Sequence, residues 1–104
     1  MFTQKNALAR AKEFLAECTK LPVKIDRAIL FGSFANGKPN ENSDIDLALF
    51  SEKFSDNILK NIDLIGPVYI RFPEIDAHTY RSQEYFEKSL MMDEIKKKGI
   101  EIKI

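Results

Sequence analysis

Gly32-Ser33, ten intervening residues and then Asp44-Ile45-Asp46 form the stretch of this chain best suited to chemistry. Gly32-Ser33-Phe34-Ala35-Asn36-Gly37 opens it, a polar run leads to Ser43, and Asp44-Ile45-Asp46-Leu47 closes it. Glycine lets the backbone approach an oxyanion closely, and N–H groups at the start of a helical turn point at one. The Ser33 hydroxyl can add a further donor. On a strand, residues i and i+2 share a face, so Asp44 and Asp46 project together. Two carboxylates on one face repel each other and call for a cation. Magnesium takes oxygen ligands, commonly one or two carboxylates plus substrate phosphates. A phosphate-holding turn joined to a metal-holding pair suggests transfer of a nucleotide from a metal-bound triphosphate.

A third carboxylate is expected if two ions are to be held about 3.5–4 Å apart. Asp76 lies in the alternating run Glu74-Ile75-Asp76-Ala77-His78-Thr79-Tyr80, where Asp76, His78 and Tyr80 share a face. A carboxylate inside an otherwise apolar strand needs a partner. If this strand neighbours the one starting at Asp44, then Asp44, Asp46 and Asp76 converge. Asp63 is the rival, but it falls opposite the apolar stripe of its helix. His78 is read as a strand residue beside the site, since three carboxylates already account for the metal chemistry. Tyr80 and Tyr85 read as packing residues. Lys38 and Arg27 are the nearest cations to the turn.

The elements that must position these residues follow from periodicity. Leu8, Ala11, Phe14, Leu15 and Cys18 share a helical face over 4–18, and Pro22 follows. Residues 25–31 end in an apolar run suited to a buried strand, and 45–50 form a second strand. Ser55 is the expected cap of a helix carrying Ile58, Leu59, Ile62 and Ile65, with Gly66 and Pro67 expected to stop it. Residues 68–72 fit either strand or loop, and 74–80 form a third strand. A helix over 82–98 ends in three lysines before Gly99, and alternation over 100–104 predicts a short final strand. The fold class expected is α/β: a small mixed β-sheet with helices packed on it.

Composition narrows the function. The 104 residues suggest one domain spanning 1–104. Sixteen basic and sixteen acidic side chains give zero net charge, which offers no broad attraction to nucleic acid. The charge is uneven: residues 41–76 hold three Lys/Arg against eight Asp/Glu, while 1–40 hold seven against three. An acidic centre flanked by a basic segment suits metal plus triphosphate. The lone Cys18 cannot form an intramolecular disulfide and reads as a small buried helix residue. With no apolar run near the ~20 residues of a membrane helix, a reducing cytoplasm is the expected setting.

The joint pattern Gly-Ser-x10-Asp-x-Asp, with Gly-Ser-Phe-Ala-x-Gly at its head and Ser-Asp-Ile-Asp-Leu at its tail, resembles the signature of the nucleotidyltransferase superfamily that includes DNA polymerase β. The short length resembles its minimal nucleotidyltransferase branch. The resemblance implies a polymerase β-like core, with Asp44 and Asp46 binding Mg2+ and nucleotide phosphates. It makes Asp76 the third carboxylate, assisting deprotonation of an acceptor hydroxyl, and Gly32 and Ser33 the phosphate-holding turn. Many relatives have Arg where this chain has Asn36, so one cation is missing from the turn. The implied activity is transfer of a nucleoside monophosphate from ATP or another NTP to a hydroxyl. Minimal members are often antitoxins paired with a small helical HEPN toxin, which implies AMP transfer to a toxin tyrosine. A non-catalytic antitoxin acting by occlusion and a small-molecule nucleotidyltransferase are the alternatives. So short a chain is expected to find its acceptor on another molecule.

Overall fold

A computed structural model describes residues 3–37 and 44–104. Helix α1 (Gln4–Cys18) leads into strands β1 (Arg27–Phe31) and β2 (Ile45–Ser51). Helix α2 (Ile58–Tyr69), strand β3 (Ile75–Arg81), a 3-10 turn (Ser82–Phe86), helix α3 (Leu90–Lys98) and strand β4 (Ile100–Ile102) follow. The four strands form one mixed sheet in the order β3-β2-β1-β4. β2 and β3 are parallel neighbours joined through α2, whereas β1 is antiparallel to both β2 and β4. The sheet is mixed, as expected, and no helix among the described residues is long and apolar enough to cross a membrane.

Strand alternation sorts the side chains into two layers. Ala28, Leu30, Ile45, Leu47, Leu49 and Ile75 face the main core with Ala7, Ala11, Phe14 and Cys18 of α1 and Ile65 and Val68 of α2. Phe14 stands edge-on to Phe72 at 5.3 Å and to Tyr69 at 6.1 Å. The opposite face carries a smaller cluster in which Met92 and Ile95 of α3 cover Ile29, Ala48 and Phe50. Tyr80 stacks on Phe50 at 5.3 Å and Tyr85 meets it edge-on at 5.7 Å, so both tyrosines pack. The short α3 covers only the part of this face around Ile29, Ala48 and Phe50. The row Phe31–Asp46–Asp76, one step further along the sheet, keeps access to solvent.

Three local expectations are corrected. Pro67 does not end its helix, because α2 runs on to Tyr69. Proline there removes one donor, toward the Asp63 carbonyl, and both residues are exposed, so water can satisfy that oxygen. The extension buries Val68 and lets the Tyr69 hydroxyl accept from the Ala77 N–H at 3.0 Å. The cap of α2 is Asn57, not Ser55; its side chain accepts from the Lys60 N–H. The single helix expected over 82–98 is two pieces, since Glu87 and Ser89 are extended and Ser89 caps α3 through the Met92 N–H at 2.9 Å.

Candidate active site

Pairing register brings the acidic residues together. Asp46 of β2 lies directly opposite Asp76 of β3 on one side and Phe31 of β1 on the other. The convergence expected from the sequence therefore holds for Asp46 and Asp76. Asp44 sits one position before β2, exposed, and its charge acts on the Asp46 carboxyl without joining the tightest cluster.

That cluster is Asp46, Asp76 and His78, whose ligating atoms all lie within 4.8 Å of one another. His78 Nε2 is 3.3 Å from Asp46 Oδ1 and 3.3 Å from Asp76 Oδ2. From the sequence His78 is a bystander; in the structure its ring stands between two carboxylates. The signal was available in the alternation that puts Asp76 and His78 on one face. What the sequence lacked was the register that seats His78 beside Ala48, a side chain small enough to let the ring lean toward the aspartate row. Phe31 meets the imidazole edge-on at 5.0 Å and fixes its plane.

Gly32 leaves β1 with φ of 76° and lies against the Asp46 carboxylate. A side chain there would overlap Asp46 Oδ2, with 3.2 Å to Cγ. Glycine is required twice over, for the left-handed backbone and for the close approach. Residues 32–37 make a single turn in which the Asn36 N–H donates to the Gly32 carbonyl at 3.1 Å. Gln4 of α1 anchors it by donating to the Phe34 carbonyl at 2.9 Å, and Phe34 is buried. Ser33, half-buried, follows Gly32 in this turn.

The expected cations fare differently. Arg27 is at the opposite end of β1, paired with Glu101 at 3.0 Å and lying 3.7 Å over the Tyr85 ring. It is a packing and pairing residue away from the turn. Lys38 lies outside the described residues, and Asp63 is exposed on α2. Among the described residues the site is acidic and partly desolvated. Burial pushes the Asp46 carboxyl above the ordinary carboxylate range; hydrogen bonding and the charge of His78 oppose this, while Asp76 and Asp44 add to it. Ionising this group inside an acidic pocket is unfavourable without a cation, which is the electrostatic setting a divalent metal relieves. The donor set of carboxylate oxygens with one imidazole nitrogen fits such an ion.

Comparison with known proteins bears on what this arrangement does. No curated protein matches the sequence. A candidate nucleotidyltransferase from Sulfolobus solfataricus is similar in structure with a TM-score of 0.67 at 22% identity, over 94% of this chain and 80% of that one. A mutant of the toxin–antitoxin MntA-HpeT is similar with a TM-score of 0.59 at 18% identity, over 90% of this chain and 70% of that one. Likenesses at these identities establish a shared fold. The family model described as polymerase beta, nucleotidyltransferase matches residues 12–103 and so takes in the glycine turn, both strand carboxylates and the final strand. The chain belongs to the polymerase β nucleotidyltransferase family.

Proposed function

We propose that this chain transfers AMP from ATP to an acceptor hydroxyl, a tyrosine of a HEPN-type toxin partner, and so serves as an antitoxin. The observation that carries the reaction is the register Asp46↔Asp76 with Gly32 seated on Asp46. The Gly32-Ser33 turn and the carboxylate pair lie side by side, which supports a phosphate-holding role for the turn next to a metal-holding role for the pair. The fold shared with MntA-HpeT supports the antitoxin setting. Asp44, Asp46 and Asp76 would hold Mg2+, in a two-ion arrangement. When bound, the metal supplies charge neutralisation for the triphosphate.

The chain's own groups account for the rest. Gly32 brings the turn close enough for its N–H groups and the Ser33 hydroxyl to orient phosphate oxygens. The acceptor oxygen forms a bond to the α-phosphorus, the bond from that phosphorus to the bridging oxygen of the β-phosphate breaks, and pyrophosphate leaves. Asp76, half-exposed on the open side of the sheet, takes the acceptor proton. The open face lets a side chain from another molecule reach this row.

The test is incubation with Mg2+, ATP labelled at the α-phosphate and a HEPN-type protein, beside an Asp44→Asn/Asp46→Asn double variant. Label on the partner's tyrosine with the wild type alone supports the proposal. Equal neutralisation of the toxin by the double variant would make occlusion the better account.

A further inference from the structure

We propose that His78 supplies a nitrogen ligand to the cation held by Asp46 and Asp76, and that this ligand gives the centre a preference for Mn2+ over Mg2+. This rests on reading the carboxylate row as a metal site, and it departs from the oxygen-only set of three carboxylates.

His78 Nε2 is equally far, 3.3 Å, from an oxygen of each aspartate. One N–H donates along one direction only, so the long hydrogen bond to Asp46 leaves the equal approach to Asp76 without one. Ligands around a shared ion behave otherwise: with bonds of about 2.0–2.1 Å, adjacent donors sit about 3.0 Å apart in an octahedron and about 3.4 Å apart in a tetrahedron. The observed separation falls between those two edges. The ring is held for this position by the Phe31 edge contact at 5.0 Å and by the small Ala48 beside it. Asp44 is exposed next to the cluster, available as a further oxygen donor.

The donor chemistry sets the preference. Mg2+ selects oxygen ligands and gives up water reluctantly, so it gains little from an imidazole. Mn2+ accepts carboxylate and water as Mg2+ does, and as a first-row transition ion it also binds nitrogen. Two aspartates with one histidine therefore favour Mn2+ where both ions are present.

The experiment uses the full chain without nucleotide. Mn2+ binding is titrated by the electron paramagnetic resonance signal of the free ion, and Mg2+ binding by competition, for wild type, His78→Ala and Asp46→Asn. Bound Mn2+ is then examined by electron spin echo envelope modulation for coupling to an imidazole nitrogen. We expect nitrogen modulation in the wild type and none in His78→Ala. We expect His78→Ala to weaken Mn2+ binding by about tenfold or more, since loss of a ligand costs no less than loss of a group orienting one. Mg2+ binding should change by less than about threefold. No nitrogen modulation in the wild type, or equal loss of both ions in His78→Ala, overturns the assignment of His78 while the carboxylate site survives if Asp46→Asn loses the ion. Undiminished Mn2+ binding in Asp46→Asn overturns both.

Discussion

Replacing Gly32 by alanine separates what the turn contributes to the fold from what it contributes to the site. The new Cβ would overlap Asp46 Oδ2 and lie 3.2 Å and 3.3 Å from Asp46 Cγ and Cβ, and its three nearest contacts are all atoms of that one side chain. The carboxylate, as the movable partner, must retreat by on the order of 1 Å to reach ordinary contact. A misplacement of that size costs about a hundredfold in rate when the group positions reactants. The backbone contribution is separate: alanine at φ of 76° costs about 1–2 kcal/mol, or a Tm fall of about 5–15 °C in a domain of this length. Gly37→Ala is the control. Gly37 also has positive φ, 72°, but a Cβ there meets nothing within 4 Å among the described residues. Both variants should lose similar stability, whereas only Gly32→Ala should lose about two orders of magnitude in label transfer from ATP. Thermal unfolding and a single-turnover transfer assay read the two effects. A folded Gly32→Ala protein that transfers at the wild-type rate would refute the close seating of the turn on Asp46.

Three further outcomes follow from the structure. The Asp46 carboxyl is raised above its ordinary range, so the folded chain binds more protons there than the unfolded chain. Stability is then lost as pH rises from the ordinary carboxylate range through the raised value. Asp46→Asn should have a higher Tm than wild type at neutral pH without metal, with the gap closing as pH falls below that range; added Mn2+ should stabilise the wild type alone. An Asp46→Asn protein less stable at neutral pH would contradict this. The Cys18 thiol is buried on α1 and pushed up to about 11, so native protein at mildly alkaline pH should resist alkylation until it is unfolded; fast alkylation of the folded chain would count against that burial. Asn61 is buried, donates to the Ser55 carbonyl at 2.7 Å and to Thr79 Oγ1 at 3.0 Å, and accepts from the Ser55 N–H at 2.8 Å. Asn61→Ala should cost about 2–4 kcal/mol by urea unfolding, because Ser55 is left with unpaired backbone groups; a cost near zero would show that water replaces the amide.

Much of this was legible in the residues. The strand alternation Ile45/Leu47/Leu49 against Asp46/Ala48/Phe50 fixes which face is core and which carries the site, and α1 matches its helical stripe from Gln4 to Cys18. The convergence of Asp46 and Asp76 could be expected if the two strands are neighbours, but their direct pairing also needed the register. What periodicity does not encode is tertiary register and capping choice. His78 stands between the carboxylates because of where Ala48 and Phe31 fall across the sheet, a long-range fact. Pro67 stays inside α2 because burying Val68 and bonding through Tyr69 outweigh one lost donor. Ser89 takes the cap of α3 from the middle of what reads as a continuous helical segment.

The proposed activity of Asp44, Asp46 and Asp76 is transfer of a nucleotide rather than a phosphate. It is tested most directly with two ATP preparations, one labelled at the α-phosphate and one at the γ-phosphate, each offered with divalent metal and a HEPN-type partner. We expect α-label on the partner, no γ-label, and release of pyrophosphate, with the α-label and the pyrophosphate lost in Asp44→Asn/Asp46→Asn. Transfer of γ-label, or α-label transfer undiminished in the folded double variant, would contradict it.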